Sequence, residues 1–126
     1  MTDLNIAATQ STPQVTAIWA GGVLKMEGDS YPENSCQFFM PVISWVKEYL
    51  SESTAPLHLN LRLLYLNTSS VKAMMDIFDL IEEAFVKGRD VAVTWFYDPE
   101  NERVAELAGE FKEDCTFPFA IQKHSE

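Results

Sequence analysis

The residues with the most scope for chemistry lie in "LNLRLLYLNTSSVKAMMDIFDLIEEAF", Leu59 to Phe85, where an apolar run stops at Asn67-Thr68-Ser69-Ser70 and a helical pattern begins. Small polar residues at such a point can cap a helix. Their side-chain oxygens accept hydrogen bonds from the first free amides, worth about 1 kcal/mol for a good cap. One residue suffices for that, and here there are four. A hydroxyl at this corner can also carry a phosphate, because the carboxyl end of a strand meets free backbone amides and the positive end of a helix dipole. Lys72, one turn beyond Thr68, offers a charge-assisted contact. A phosphate would add about −1.5 to −2 charges at neutral pH to any surface a partner uses. Residue types alone leave capping and modification both open.

Other constellations are thinner. His58 lies mid-strand and His124 in the tail, so no nucleophile–base–orienter set is suggested. Asp76, Asp79, Glu82 and Glu83 share one helix and read as a solvated face rather than a ligand set. Neither GxGxxG nor GxxxxGK occurs, and Gly21-Gly22 is a hairpin signal. Asp29 and Glu33 in "GDSYPENS" are the carboxylates a weak hydrolase would draw on, with turn and cap roles the plainer reading. Trp19, Trp45 and Trp95, with Phe38, Phe39, Phe117 and Phe119, could line a ligand pocket, but strand and first-helix positions favour core packing. No catalytic residue, cofactor or metal is expected.

The composition narrows the partners. A chain of 126 residues suits one domain, 1–126, with a core that needs no disulfide or metal. Its formal net charge of −10 argues against nucleic acid and anionic membrane, and favours a protein partner with a basic patch. Cys36 and Cys115 form no CxxC motif and read as reduced packing residues. The N-terminus carries Asp3 and lacks the basic and apolar regions of a leader, and no apolar stretch is long enough to span a bilayer. A cytoplasmic protein is expected.

The elements that must hold the corner follow from periodicity. Val15 to Glu27 reads as two strands joined at Gly21-Gly22, and Gly28 to Ser35 as a loop. A helix then runs to about Leu50 on Phe39, Val42, Ile43, Val46, Tyr49 and Leu50, with Pro41 either in its first turn or kinking it. In "PLHLNLRLLYL", Leu57, Leu59, Leu61 and Leu63 face one way while His58, Asn60 and Arg62 face the other. The next helix, about Ser69 to Lys87, should bury Val71, Met74, Met75, Phe78, Ile81 and Phe85 and expose Lys72, Asp76, Asp79 and Glu83. "DVAVTWFY" is a strand, Asp98 and Pro99 should open a third helix, and "CTFPFAIQ" should end the sheet as an edge strand. Strand–helix–strand units favour parallel pairing by right-handed crossovers. With His58, Asn60, Arg62 and Thr94 outward, the expected fold is a two-layer α/β domain. It has a mixed sheet, an N-terminal hairpin and about three helices mainly on one face.

"LRLLYLNTSSVKAMMDIFDLIEEA" resembles the strand-to-helix site of the STAS (anti-sigma-factor antagonist) domains, an apolar strand followed by Asp-Ser-Ser-Gly and a helix. Here Asn67 replaces the acid, and Ser70 or Val71 falls where the glycine is expected. In that family a partner kinase phosphorylates a hydroxyl of the motif. Six blocks in order, "STPQV", "MEGDSYPENS", "LRLLYLNTSSVKAMMDI", "WFYD", "NERVAELA" and "EDCTFPFAIQ", resemble the SiaC family of biofilm-regulation phosphoproteins over nearly the whole chain. The resemblance implies a STAS-like fold and a non-enzymatic partner switch regulated at Thr68, with Ser69 the second choice. It implies a cognate protein kinase, a PP2C-type phosphatase, and a diguanylate cyclase that the unphosphorylated form binds and activates in cyclic diguanylate signalling. Tyr65, Asn67, Ser69, Ser70 and Lys72 would flank the docking surface. A small-molecule sensor with an aromatic pocket is the alternative, and the oligomeric state, a homo-oligomer included, stays open.

Overall fold

A computed structural model describes residues 2–124. Six strands and three helices alternate along the chain. They are β1 (Leu4–Ile6), β2 (Gln14–Ile18), β3 (Val23–Ser30), α1 (Ser35–Glu52), β4 (Leu57–Leu66), α2 (Thr68–Val86), β5 (Val91–Tyr97), α3 (Glu102–Glu113) and β6 (Phe119–Lys123). The strands lie in the sheet in chain order, β1 to β6. The first three pair antiparallel and the pairs from β3 to β6 are parallel, giving the expected mixed sheet. Each connection from β3 onward steps to the adjacent strand in the same direction, so crossovers of one hand deposit all three helices on one face.

That face is the core. Val15, Ala17, Leu24, Met26, Leu57, Leu59, Leu61, Leu63, Val91, Val93 and Trp95 alternate into it, and one contiguous apolar cluster joins them to α1, α2 and α3. Each of the four alternating leucines of β4 is essentially inaccessible, worth about 1.5–3 kcal/mol apiece in transfer from water. The aromatic residues fill this interior against one another. Trp45 stacks on Tyr49 with 5.3 Å between centroids and Trp95 on Phe111 with 5.7 Å, while Phe117 stacks on Phe119. The opposite face keeps half-buried polar residues, including Thr16, Asn60 and Thr94, with His58 Nε2 3.1 Å from Thr94 Oγ1.

Several boundaries differ from the periodicity reading. A short β1 pairs with β2, an element that periodicity does not reveal, since three residues cannot show an alternation. β3 continues through Gly28 to Ser30, residues assigned above to a loop, because Gly28 adopts φ +124° at a register shift against β4. Gly28 pairs with Leu63 and Asp29 with Tyr65, leaving Leu64 as an extra residue in β4. Such a bulge reverses the alternation beyond it. Leu66 is therefore buried and Tyr65 exposed, the reverse of what strict parity from Leu63 would give.

The helices narrow one reading and correct two. Pro41 lies inside α1, past its first turn, where it leaves the carbonyl of exposed Gln37 without its helical donor. The buried stripe of α2 is Ala73, Met74, Ile77, Phe78, Ile81 and Ala84, and Met75 is 47% exposed, because the helical repeat set by these residues turns position 75 to the opposite side. α3 is capped by Asn101, not Asp98, whose carboxylate instead accepts a 2.9 Å bond from Arg62.

Gly22 ties the hairpin to the core at φ +63°. Its carbonyl accepts a 2.8 Å bond from His58 N, and a Cβ there would run into Pro56 O and the Tyr49 hydroxyl, which are themselves bonded at 2.8 Å. Gly22→Ala combines a left-handed backbone with that clash. We expect it to lower unfolding free energy by about 2 kcal/mol or more in urea titration, whereas Gly109→Ala, with open space around it, should not destabilise.

Candidate functional site

The corner between β4 and α2 is built by assigning each of its hydroxyls a different role. Asn67 is the N-cap: its Oδ1 accepts from Ser70 N at 2.9 Å and its carbonyl from Val71 N at 3.0 Å. It also anchors the corner to the end of β3, donating from N to Ser30 O at 2.9 Å and from Nδ2 to Pro32 O at 3.4 Å.

Ser70 is fully buried, and its Oγ lies 2.8 Å from that of equally buried Ser30. The pair joins α2 to β3 in an apolar setting where an unpaired hydroxyl would be costly. Ser69 reaches the other way. Its hydroxyl donates to Asn67 Oδ1 at 3.2 Å and lies 2.7 Å from Ser35 Oγ at the start of α1. A hydroxyl carries one proton. With Ser69 donating to Asn67, Ser35 supplies the proton of the second bond, and the N-termini of α1 and α2 are clasped together.

Thr68 has neither role. It is the first residue of α2, exposed, and its side chain makes no hydrogen bond among the described residues. Of the three hydroxyls in succession, one is buried in the fold, one is engaged between two helices, and one points out unclaimed. The surface around it mixes polar groups with large exposed hydrophobics. Among the described residues the exposed large hydrophobics are Ile18, Tyr31, Met40, Tyr65, Met75 and Val86, and four of these flank the corner. Tyr31 and Tyr65 meet edge to face with centroids 6.0 Å apart beside Asn67 and Pro32. Met75 lies two turns from Thr68 on the same helical stripe, and Met40 lies across on α1, sharing a depression with Ser69 and Lys72. Exposed apolar side chains gathered around one corner in this way suit an interaction site. Lys72 pairs with Asp76 at 3.7 Å, both well exposed.

The structure thus gathers Tyr65, Asn67, Thr68, Ser69, Ser70 and Lys72 at one corner, though Ser70 is inside it and cannot touch a partner. Ser30, Tyr31, Ser35 and Met40 were not legible as members. For the first three the signal was "GDSYPENS" itself, with two serines and a tyrosine at the entry to a helix, but only the β3–β4 register reveals which corner they join. The remaining ionisable groups are dispersed. Glu82 accepts from Thr116 N and Oγ1 at 2.7 and 2.6 Å, bonds that lower its pKa, while Glu83 pairs with Lys87. Asp29 lies in β3, Glu33 precedes the α1 cap Asn34, and His124 donates its backbone N–H to Tyr97 O. Among the described residues no group of three or more His, Cys, Asp or Glu could hold a metal ion, and no helix is long and apolar enough to cross a membrane. An open basin of about 670 Å³ on the uncovered sheet face is lined by Lys25, Glu27, Asn60, Arg62, Leu64 and Phe96, among others.

Comparison with known proteins gives the architecture a lineage. The family model described as SiaC family regulatory phosphoprotein matches residues 6–124. An uncharacterized protein of Pseudomonas aeruginosa is 62% identical over 126 residues, covering all of both chains. The solved structure of SiaC of Pseudomonas aeruginosa is 60% identical, with a TM-score of 0.94 over 98% of this chain and 100% of that one. A crystal structure of the diguanylate cyclase SiaD in complex with its activator SiaC, from the same organism, is similar at 62% identity and a TM-score of 0.95, over 97% of this chain and 100% of that one.

Two outcomes are expected from the corner's geometry. Ser70→Ala or Ser30→Ala alone should cost about 1–3 kcal/mol of unfolding free energy, by stranding the surviving hydroxyl. The double variant should cost clearly less than the sum, measured as a double-mutant cycle in urea. The cysteines should also separate: burial, with Glu82 and Asp114 nearby, pushes the Cys115 thiol up to about 11, whereas Cys36 is exposed. A raised pKa leaves less thiolate at pH 8. Iodoacetamide should therefore alkylate Cys36 well before Cys115, as followed by peptide mass spectrometry.

Proposed function

Because the chain belongs to the SiaC family of regulatory phosphoproteins, we propose that it is a partner switch: unphosphorylated, it binds and activates a diguanylate cyclase, and phosphate on Thr68 releases that partner. The role is regulatory rather than catalytic. A protein kinase adds the phosphate and a PP2C-type phosphatase removes it. The observation that carries this reading is the state of Thr68, an exposed hydroxyl without a hydrogen bond among the described residues, at a corner that also exposes Tyr31, Tyr65, Met40 and Met75.

The physics of release follows from that setting. Docking covers Tyr31, Tyr65, Met40 and Met75 and removes water from the surface around Thr68. A phosphate carrying about −1.5 to −2 charges must then be desolvated or held apart from the partner, and either is worth several kcal/mol. The fold itself is spared. Thr68 holds up no other element, and the N-terminus of α2 is favourable for negative charge, by about 0.3–1 kcal/mol at an exposed site. Ser69 is a poorer acceptor of phosphate, since modification would break its bonds to Ser35 and Asn67.

The test compares Thr68→Ala, Thr68→Asp and enzymatically phosphorylated protein for affinity to the cognate cyclase. Thr68→Ala should bind within about threefold of wild type. The phosphorylated protein should bind at least tenfold more weakly, about 1.4 kcal/mol, with Thr68→Asp between. Equal affinity of all three would remove the switch.

A further inference from the structure

Seven of the eight phenylalanines meet another aromatic ring. Phe96 meets none among the described residues. It is half-buried on the sheet face that carries no helix, and it lines the open basin of about 670 Å³ together with Leu64. The rest of that basin is polar. Thr16, Lys25 and Asn60 line it from one cross-strand row, with Thr16 opposite Lys25 and Lys25 opposite Asn60 across β2, β3 and β4. None of these three side chains makes a hydrogen bond or an ion pair among the described residues. Their neighbours are engaged: His58 with Thr94, and Arg62 with Asp98 at 2.9 Å and Glu27 at 3.8 Å.

We propose that this basin binds a purine nucleotide, with its phosphate on Thr16, Lys25 and Asn60 and its base against Phe96. A hydroxyl, an ammonium and a carboxamide each offer N–H or O–H donors, which suits an acceptor-rich anion. Lys25 supplies the charge, and the two flanking groups fix the anion's position. An aromatic ring with no ring partner offers the base a face on which to stack. Adjacent strands lie about 4.8 Å apart, so Lys25 on β3 and Phe96 on β5 stand roughly 10 Å apart across the sheet, within a nucleotide's reach from phosphate to base. A ligand of that size matches the basin, since small-molecule sites commonly enclose about 300–1,000 Å³.

Charge selects this occupant over larger ones. The lining groups are two cations, Lys25 and Arg62, against one carboxylate, Glu27, on a chain whose formal charge is −10. A local excess of positive charge admits a single nucleotide, whereas a polynucleotide or a second copy of this chain would meet the repulsion of the whole molecule. Glu27 opposes the phosphate from within the basin, and its side chain is 65% exposed, so it sets an upper limit on affinity rather than a barrier. The site is separate from the hydroxyl corner. All three helices lie on the other face of the sheet, and the proposal does not rest on the partner switch.

The test is an amide NMR titration of the full chain with guanosine monophosphate and with adenosine monophosphate, circular dichroism confirming the fold of each variant. Either nucleotide should saturate with a Kd below about 1 mM, and the largest shifts should fall at Thr16, Lys25, Asn60 and Phe96. Ribose phosphate, which lacks the base, should bind about tenfold more weakly. Lys25→Glu should weaken nucleotide binding at least about tenfold, and Glu27→Gln should tighten it about threefold. Phe96→Leu should weaken the nucleotides and leave ribose phosphate unchanged. Lys87→Glu, on α2, should alter nothing. No saturation by either nucleotide at about 5 mM, or shifts confined to the helices, overturns the site. Equal binding of ribose phosphate removes Phe96 from it and overturns the choice of a nucleotide.

Discussion

The geometry of the corner depends on a buried pair of hydroxyls. Ser30 at the end of β3 and Ser70 in the first turn of α2 are fully enclosed, with oxygens 2.8 Å apart. Their bond fixes where α2 starts relative to the sheet. A hydroxyl in that setting cannot be left alone without a cost of about 1–3 kcal/mol, so the two positions constrain each other. Everything exposed at the corner is set by that buried contact. With Ser70 fixed inward, the helical repeat puts Ser69 against Ser35 and turns Thr68 away from the protein. The Asn67 cap serves the same end, since its side chain and backbone bind α2, Ser30 and Pro32 at once.

A second constraint lies one strand-end earlier. The extra residue at Leu64 reverses the parity of β4, so that the apolar run closes on Leu66 in the core and gives up Tyr65 to the surface. Bulges recur where a strand must re-aim a side chain near a functional site. Here the re-aimed side chain is an aromatic one, and it meets Tyr31 beside the hydroxyl corner. The scaffold thus supplies a rigid platform for a patch that, in the free protein, is left without apolar cover. Thermodynamically that patch is a liability unless something docks on it.

Much of this was legible in the chain. The alternation of Leu57, Leu59, Leu61 and Leu63, the parallel units and the one-sided packing of helices all follow from period and polarity. The hydroxyl run announced the corner and, through resemblance, its family. What could not be read was which hydroxyl faces out, because helical phase near a cap depends on a partner 40 residues away in sequence. Periodicity places Met75 in the core, since hydrophobicity alone cannot separate it from Ala73 and Ile77, which occupy that face. The sequence context of Asp98 suits a cap, but its ion pair with Arg62 across the sheet end competes for the same carboxylate. At the hydroxyl corner and at Asp98 a long-range contact overrode a local signal.

The central claim is a division of labour among three adjacent hydroxyls, and it is tested most directly by locating the phosphate. Protein treated with its cognate kinase, or taken from its native cell, should be fragmented and sequenced by mass spectrometry. The account requires a single phosphate on Thr68, with Ser69 and Ser70 unmodified. Phosphate on Ser69 or Ser70 in place of Thr68, in a protein that keeps its native fold, would contradict it.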